Sequence, residues 1–242
     1  MRNCRKCALL AILAFSAAAV LPAQTEAKLN RRYDLILEKK DGNTVQKMDP
    51  SHVFKDGDLI RFRLRPGVNG YLYVLNRGSS GKYEQLFPRA GETQSREVRA
   101  GHDYVIPDSD SGWFRIQGPV GYETVYFLIS PLDLGKTLFP HAHEDQPAPA
   151  KSDPQPETPD QKAFETATPR CDDALFRTRG ECLDRNAGLK PVEPGETLPS
   201  GLPAVSVGSK DLVIVKQSDD TSVASTEPFD APVIYHFKIA HK

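Results

Sequence analysis

The chain has 242 residues, 39% hydrophobic and 26% charged, with 31 Lys and Arg against 32 Asp and Glu for a net charge of −1. That balance, with no block of like charge, excludes a general polyanion binder, so no nucleic-acid partner is expected. A single apolar stretch approaches membrane length, which excludes a polytopic membrane protein.

That stretch lies at the N-terminus. Arg2, Arg5 and Lys6 precede the apolar run from Ala8 to Val20, and Pro22 with Gln24, Thr25 and Glu26 ends it. A spanning helix needs about 20 apolar residues, and this run is shorter. The pattern predicts a secretory signal peptide over residues 1–27, cut after Ala23 or Ala27, and hence a periplasmic or extracellular protein with no membrane span after cleavage. Cys4 and Cys7 would leave with the peptide. Cys171 and Cys182 would remain, and in an oxidising compartment a disulfide between them is the expectation. A continuous helix from 171 to 182 would hold their Cα atoms about 16 Å apart, whereas a disulfide needs about 7 Å or less. Thr168-Pro169 with Asp172 and Asp173 marks a helix start, and Gly180 offers a turn back. The spacing therefore predicts a short helix, a turn and a local Cys171–Cys182 bond.

Between residues 31 and 135 the chain alternates short strands and turns. Tyr33, Leu35 and Leu37 share one face of the first strand, and Asp41-Gly42 signals a hairpin. Ile60, Phe62 and Leu64 alternate with Arg61, Arg63 and Arg65. Asn69-Gly70 leads into Tyr71 to Asn76, and shorter runs follow at 83–87, 97–98, 104–106 and 113–116. The run from Thr124 to Ile129 is apolar on both faces and reads as a central strand. Strands of this length and spacing predict an all-β, antiparallel sandwich of the immunoglobulin-like or jelly-roll-like kind.

Composition changes after Ser130. More than half of the 20 prolines fall between Pro140 and Pro203. Residues 136–203 read as a flexible Pro-rich excursion carrying the short helix, because this composition cannot offset ordering entropy. Order returns in residues 204–242. Leu212 to Val215 form one apolar run, and Val233, Tyr235, Phe237 and Ile239 alternate in another. Two strands alone are marginal in water. They are expected to complete the sandwich begun by residues 31–135, and they could pair with each other.

The ordered series Val53-Phe54-Lys55-Asp56-Gly57-Asp58, Asn69-Gly70-Tyr71-Leu72-Tyr73-Val74, Leu86-Phe87-Pro88, Ile106-Pro107, Trp113-Phe114, and Gly121 with Glu123 before Ser130 resembles the bacterial domain of unknown function 4384 over about residues 33–131. The resemblance implies a small all-β module of exported proteins. It brings no agreed activity and no catalytic residues. Gly57, Gly70, Gly78 and Gly81 suit turns that need positive φ.

Few residues offer chemistry. Ser79 and Ser80 lie between glycines in a strand-to-strand turn, and a nucleophile elbow needs a strand-to-helix turn. His141 and His143 could ligate a metal, but they sit in the Pro-rich segment, where nothing rigid orients them. No P-loop, dinucleotide fingerprint or zinc-spaced cysteine set is present, so no cofactor and no metal are expected. The candidate binding residues are Arg61, Arg63 and Arg65, a basic stripe able to hold an anion, and the aromatics Tyr71, Tyr73 and Trp113, able to form a contact patch. The balance favours an exported, non-enzymatic β-domain acting as a protein-interaction or envelope-associated accessory module, with an envelope or periplasmic protein as partner. The competing classes are a periplasmic small-ligand, anion or glycan-binding protein and a cell-wall-directed hydrolase.

Overall fold

The computed structural model describes residues 30–78, 83–89, 97–135, 168–192, 198, 212–217 and 220–242. The expected signal peptide, Ser79, Ser80, Gly81, His141, His143 and most of the Pro-rich segment lie outside the described residues.

The fold is an all-β sandwich of two sheets. The first contains β1 (Asn30–Asp41), β2 (Thr44–Met48), β4 (Leu59–Pro66), β8 (Tyr104–Ile106), β9 (Phe114–Arg115), β12 (Leu212–Gln217) and β13 (Asp220–Ser225), in the order β12-β13-β1-β4-β8. There β2 also pairs with β1, and β9 with β4. The second contains β3 (Val53–Phe54), β5 (Gly70–Arg77), β6 (Tyr83–Phe87), β7 (Glu97–Val98), β10 (Gly121–Ser130), β11 (Gly188–Pro191) and β14 (Val233–His241), in the order β11-β14-β10-β5-β6. Here β3 joins β14 in parallel and β7 joins β5.

Alternation decides which side chains meet between the sheets. Tyr33, Leu35 and Leu37 of β1 and Ile60, Phe62 and Leu64 of β4 face Leu72 and Val74 of β5, Val125, Phe127 and Ile129 of β10, and Tyr235, Phe237 and Ile239 of β14. Phe62 packs edge-on against Phe127 at 5.3 Å and Phe237 at 5.1 Å, and Tyr33 stacks on Tyr235 at 4.5 Å. Every residue of β10 is buried, as befits a strand held between β5 and β14.

The tail runs do not pair with each other. β12 pairs with β13, which the alternation of Asp220, Thr221 and Ser222 does not announce, and β14 inserts between β10 and β11 in the opposite sheet. A seven-residue helix, α1 (Asp173–Arg179), starts at the expected acidic turn. Cys171 and Cys182 flank it at disulfide distance, with Cα atoms 4.8 Å apart.

Two glycines show different duties. Gly42 has φ +57° in the two-residue loop joining β1 and β2, where a left-handed residue suits the strand twist. Gly70, expected at positive φ, is instead the first residue of β5 and is not in the left-handed region. Its requirement is close packing: a Cβ there would stand 2.6 Å from the Ser130 carbonyl oxygen.

Candidate functional site

The outer face of the first sheet carries the arginines. In β4, Ile60, Phe62 and Leu64 turn inward, so Arg61, Arg63 and Arg65 turn outward. Glu38 of β1 stands opposite Arg61 in the register. Arg61 Nε donates to Glu38 Oε2 at 2.5 Å and Arg63 Nε to Glu38 Oε1 at 3.1 Å. Arg65 grips Asp103 with two parallel bonds, Nε to Oδ1 at 2.6 Å and Nη2 to Oδ2 at 2.8 Å. The Arg61 guanidinium lies 4.4 Å from the centre of the Trp113 ring, and Lys40 Nζ lies 5.9 Å from it. Burial alone would push the Glu38 carboxyl up, but the two arginines outweigh it and hold it below the usual carboxylate range. The Arg65 bonds likewise depress Asp103. Each arginine of the stripe thus has a carboxylate partner, Glu38 or Asp103, which reduces its bare positive charge, and Arg61 adds planar cation–aromatic stacking on Trp113.

Tyr71 and Tyr73 belong to the opposite outer face, that of the second sheet. Tyr73 is fully buried; its hydroxyl donates to Asp133 Oδ1 at 2.6 Å and accepts from the Leu134 amide at 2.9 Å. Tyr71 is half-buried against the same cluster. The six candidate residues therefore do not form one patch. Arg61, Arg63, Arg65 and Trp113 come together, and the two tyrosines pack elsewhere.

Among the described residues, the two outer faces differ in cover. On the second sheet, Tyr73, Leu75, Tyr126, Leu128 and Ile234 lie under Leu134, Val192 and Leu198. Beside them Tyr122 and Ala240 lie under Ala187 and Cys182. Asp184 fixes this cover: it accepts from the Tyr122 hydroxyl at 2.6 Å and from the amides of Arg170 at 2.9 Å and Asn186 at 2.8 Å. Its own amide donates to the Ser51 carbonyl at 2.7 Å. On the first sheet the outward residues include Val45, Val213 and Val215, exposed at 47%, 40% and 37%.

A second polar constellation sits inside the sandwich, at the end where β5 finishes, β10 starts and β14 finishes. Asn76, Glu123 and His241 are only 4%, 3% and 1% exposed. Asn76 Nδ2 donates to Glu123 Oε2 at 3.3 Å, and His241 Nε2 lies 4.0 Å from Glu123 Oε1. Burial raises the Glu123 carboxyl to about 7, against the Asn76 hydrogen bond and helped by the charge of Glu84. Burial lowers the His241 imidazole, partly offset by Asp56. Asn76 Oδ1 and His241 Nε2 have no hydrogen-bond partner among the described residues. The sequence reading gave none of the three a site role, although Glu123 closes the motif series and each lies in phase with inward core residues of its own strand. At neutral pH this group can hold and exchange a proton. No hydroxyl or thiol nucleophile is hydrogen-bonded to His241 among the described residues.

Among the described residues, no three His, Cys, Asp or Glu side chains converge as a metal cluster, and no helix is long and apolar enough to cross a membrane. Residues 53–132 match the family model described as Domain of unknown function (DUF4384). The match begins at β3 rather than near residue 33, and it spans β4, β5 and β10 while leaving β1 and β14 outside. No curated protein and no solved structure matches the chain.

Proposed function

We propose that the protein is an exported, non-enzymatic β-sandwich that serves as an accessory module of the bacterial envelope by binding a protein partner. The observation that carries this reading is the unequal cover of the two sheets among the described residues. Among the described residues, segments around Asp184, Val192 and Leu134 lie on the second sheet, while the first sheet's outer face carries the exposed Val45, Val213 and Val215. That face combines exposed valines with a Trp113–Arg61 stack, the mixture of apolar and planar cationic groups that protein interfaces favour. The basic N-terminal residues followed by a short apolar run support export. Pairing of the arginines with Glu38 and Asp103 weighs against a free anion as the ligand.

The test is affinity capture from an envelope extract with the whole chain as bait, beside W113A and the double variant V213E/V215E. The reading expects a reproducible partner on the unmodified chain and its loss from both variants, with far-UV circular dichroism unchanged. Equal recovery on all three baits would move the contact away from this face. Turnover of peptidoglycan or glycan substrates by the pure chain would replace the module with a hydrolase.

A further inference from the structure

The far end of β14 joins two parts of the molecule. Ala240 and His241 pair with Val53 and Phe54 of β3, and the Lys242 amide donates to the Phe54 carbonyl at 3.0 Å. The stretch leading into β3 in turn seats the covering segment of the second sheet. The Val53 amide donates to the Cys182 carbonyl at 3.0 Å, the Asp184 amide donates to the Ser51 carbonyl at 2.7 Å, and His52 bridges to Leu183. A change that loosens residues 240–242 therefore loosens the seat of that cover.

The same end buries an ionisable pair. His241 Nε2 lies 4.0 Å from Glu123 Oε1, and both residues are almost wholly buried. Asn76 Nδ2 is the one hydrogen-bond donor to the Glu123 carboxyl among the described residues, at 3.3 Å. His241 Nε2 has no hydrogen-bond partner among them, and no Lys or Arg among them pairs with either group. Arg77 of β5 and Lys238 of β14 stand opposite Thr124 in the register, in the outward phase, and so face away from Glu123. The charges felt here are negative: Glu84 of β6 at the carboxyl and Asp56 of the loop after β3 at the imidazole.

Such a pair accommodates one proton. With none, a carboxylate is buried with neither water nor a cation to offset its desolvation; with two, an imidazolium is buried beside a neutral acid. The two groups titrate as a unit. We propose that Glu123 and His241 form a one-proton latch: the singly protonated pair holds the end of β14 against β10 and β3, and loss of that proton releases residues 240–242 and, through β3, the covering segment at residues 182–187. The latch is separate from the partner-binding face, which lies on the outside of the other sheet.

The direction follows from the two groups. Burial raises the folded Glu123 carboxyl from its ordinary 4.5 to about 7, so its contribution is fully present below about 4.5 and is lost as pH rises through about 7. His241 has the opposite sign. Its folded value lies below the ordinary 6.5, so its contribution is present above 6.5 and is lost as pH falls. Comparison with E123Q, which keeps a neutral side chain at every pH, isolates the carboxyl.

The experiment is hydrogen exchange read by mass spectrometry on the whole chain and on E123Q, at pH 5 and pH 8. The quantity followed is the local opening of the unmodified chain relative to E123Q. Between the two pH values this ratio should rise by about tenfold or more in peptides covering residues 51–54, 182–187 and 236–242, since each unit by which a carboxyl is raised is a factor of ten. Peptides of β4 should keep a constant ratio. A constant ratio in all peptides overturns the latch, and so does an equal rise in β4, which would make the effect global. Should E123Q not fold, carboxyl 13C NMR of the unmodified chain decides: a Glu123 midpoint near 7 is expected, and one near 4.5 overturns the proposal.

Discussion

At the scale of single residues, Glu38 shows how one carboxylate decides the character of a surface. It is buried and holds two arginines of the neighbouring strand. Replacing it with Gln keeps the shape and removes the charge, leaving Arg61 and Arg63 under-satisfied. We expect E38Q to lose about 1–3 kcal/mol in urea unfolding at neutral pH. The sign of the pH effect follows from the depressed carboxyl. Glu38 contributes its stability above its unfolded value of about 4.5 and loses it as pH falls through the lower folded value. E38Q should therefore show a shallower acid limb than the unmodified chain; identical limbs would mean the pair adds nothing. Gly70 is a second test. The Ser130 carbonyl leaves no room for a Cβ, so G70A should cost at least about 1 kcal/mol through overpacking, and an unchanged midpoint would contradict the close approach. The buried Asn76, Glu123 and His241 were legible only in part. Each sits in the inward phase of its strand, in step with Val74, Val125 and Ile239. Sequence alternation shows that phase. It does not show that positions 76, 123 and 241 meet, because that depends on the order β5-β10-β14.

At the scale of elements, the strongest alternation gave the most reliable reading. β1 and β4 are visible because large apolar side chains recur at every second position, and β5 and β10 because apolar residues run along both of their faces. β13 and β11 are not, because polar Asp220–Ser222 and the short Gly188–Pro191 gain their strand character from neighbours rather than from their own residues. Their existence rests on tertiary pairing with β1 and β14. The segment around α1 is tied down by Asp184 and by the cysteine pair. Y122F removes the donor to Asp184 and should cost about 1–2 kcal/mol while speeding proteolysis near α1. Equal digestion of the two chains would show that the cysteines alone hold the segment. β14 carries Tyr235, Phe237 and Ile239 into the core and covers the edge of β10. A chain ending at residue 231 should accordingly lose cooperative unfolding altogether, and a sharp denaturation transition in that truncation would show that β14 is dispensable.

At the scale of the whole molecule, the sandwich is assembled from both ends of the chain around a central family-matched segment. The first sheet takes β12 and β13, and the second takes β11 and β14. The fold class could be read from strand spacing; the unequal cover of the two faces could not, because it depends on where residues 168–192 return. Export has its own check: intact mass of the protein recovered from its producing cells should begin at Gln24 or Lys28, and a product retaining Met1 to Ala23 would contradict processing. The central claim is that the outer face of the first sheet, with its exposed valines, is the contact surface. The most direct measurement is photo-crosslinking in living cells, with a photoreactive residue placed at Val213 or Val45 and, for comparison, at the equally exposed Phe176 on α1. The account predicts a discrete crosslinked envelope protein from Val213 and Val45 and none from Phe176; crosslinks from Phe176 alone would contradict it.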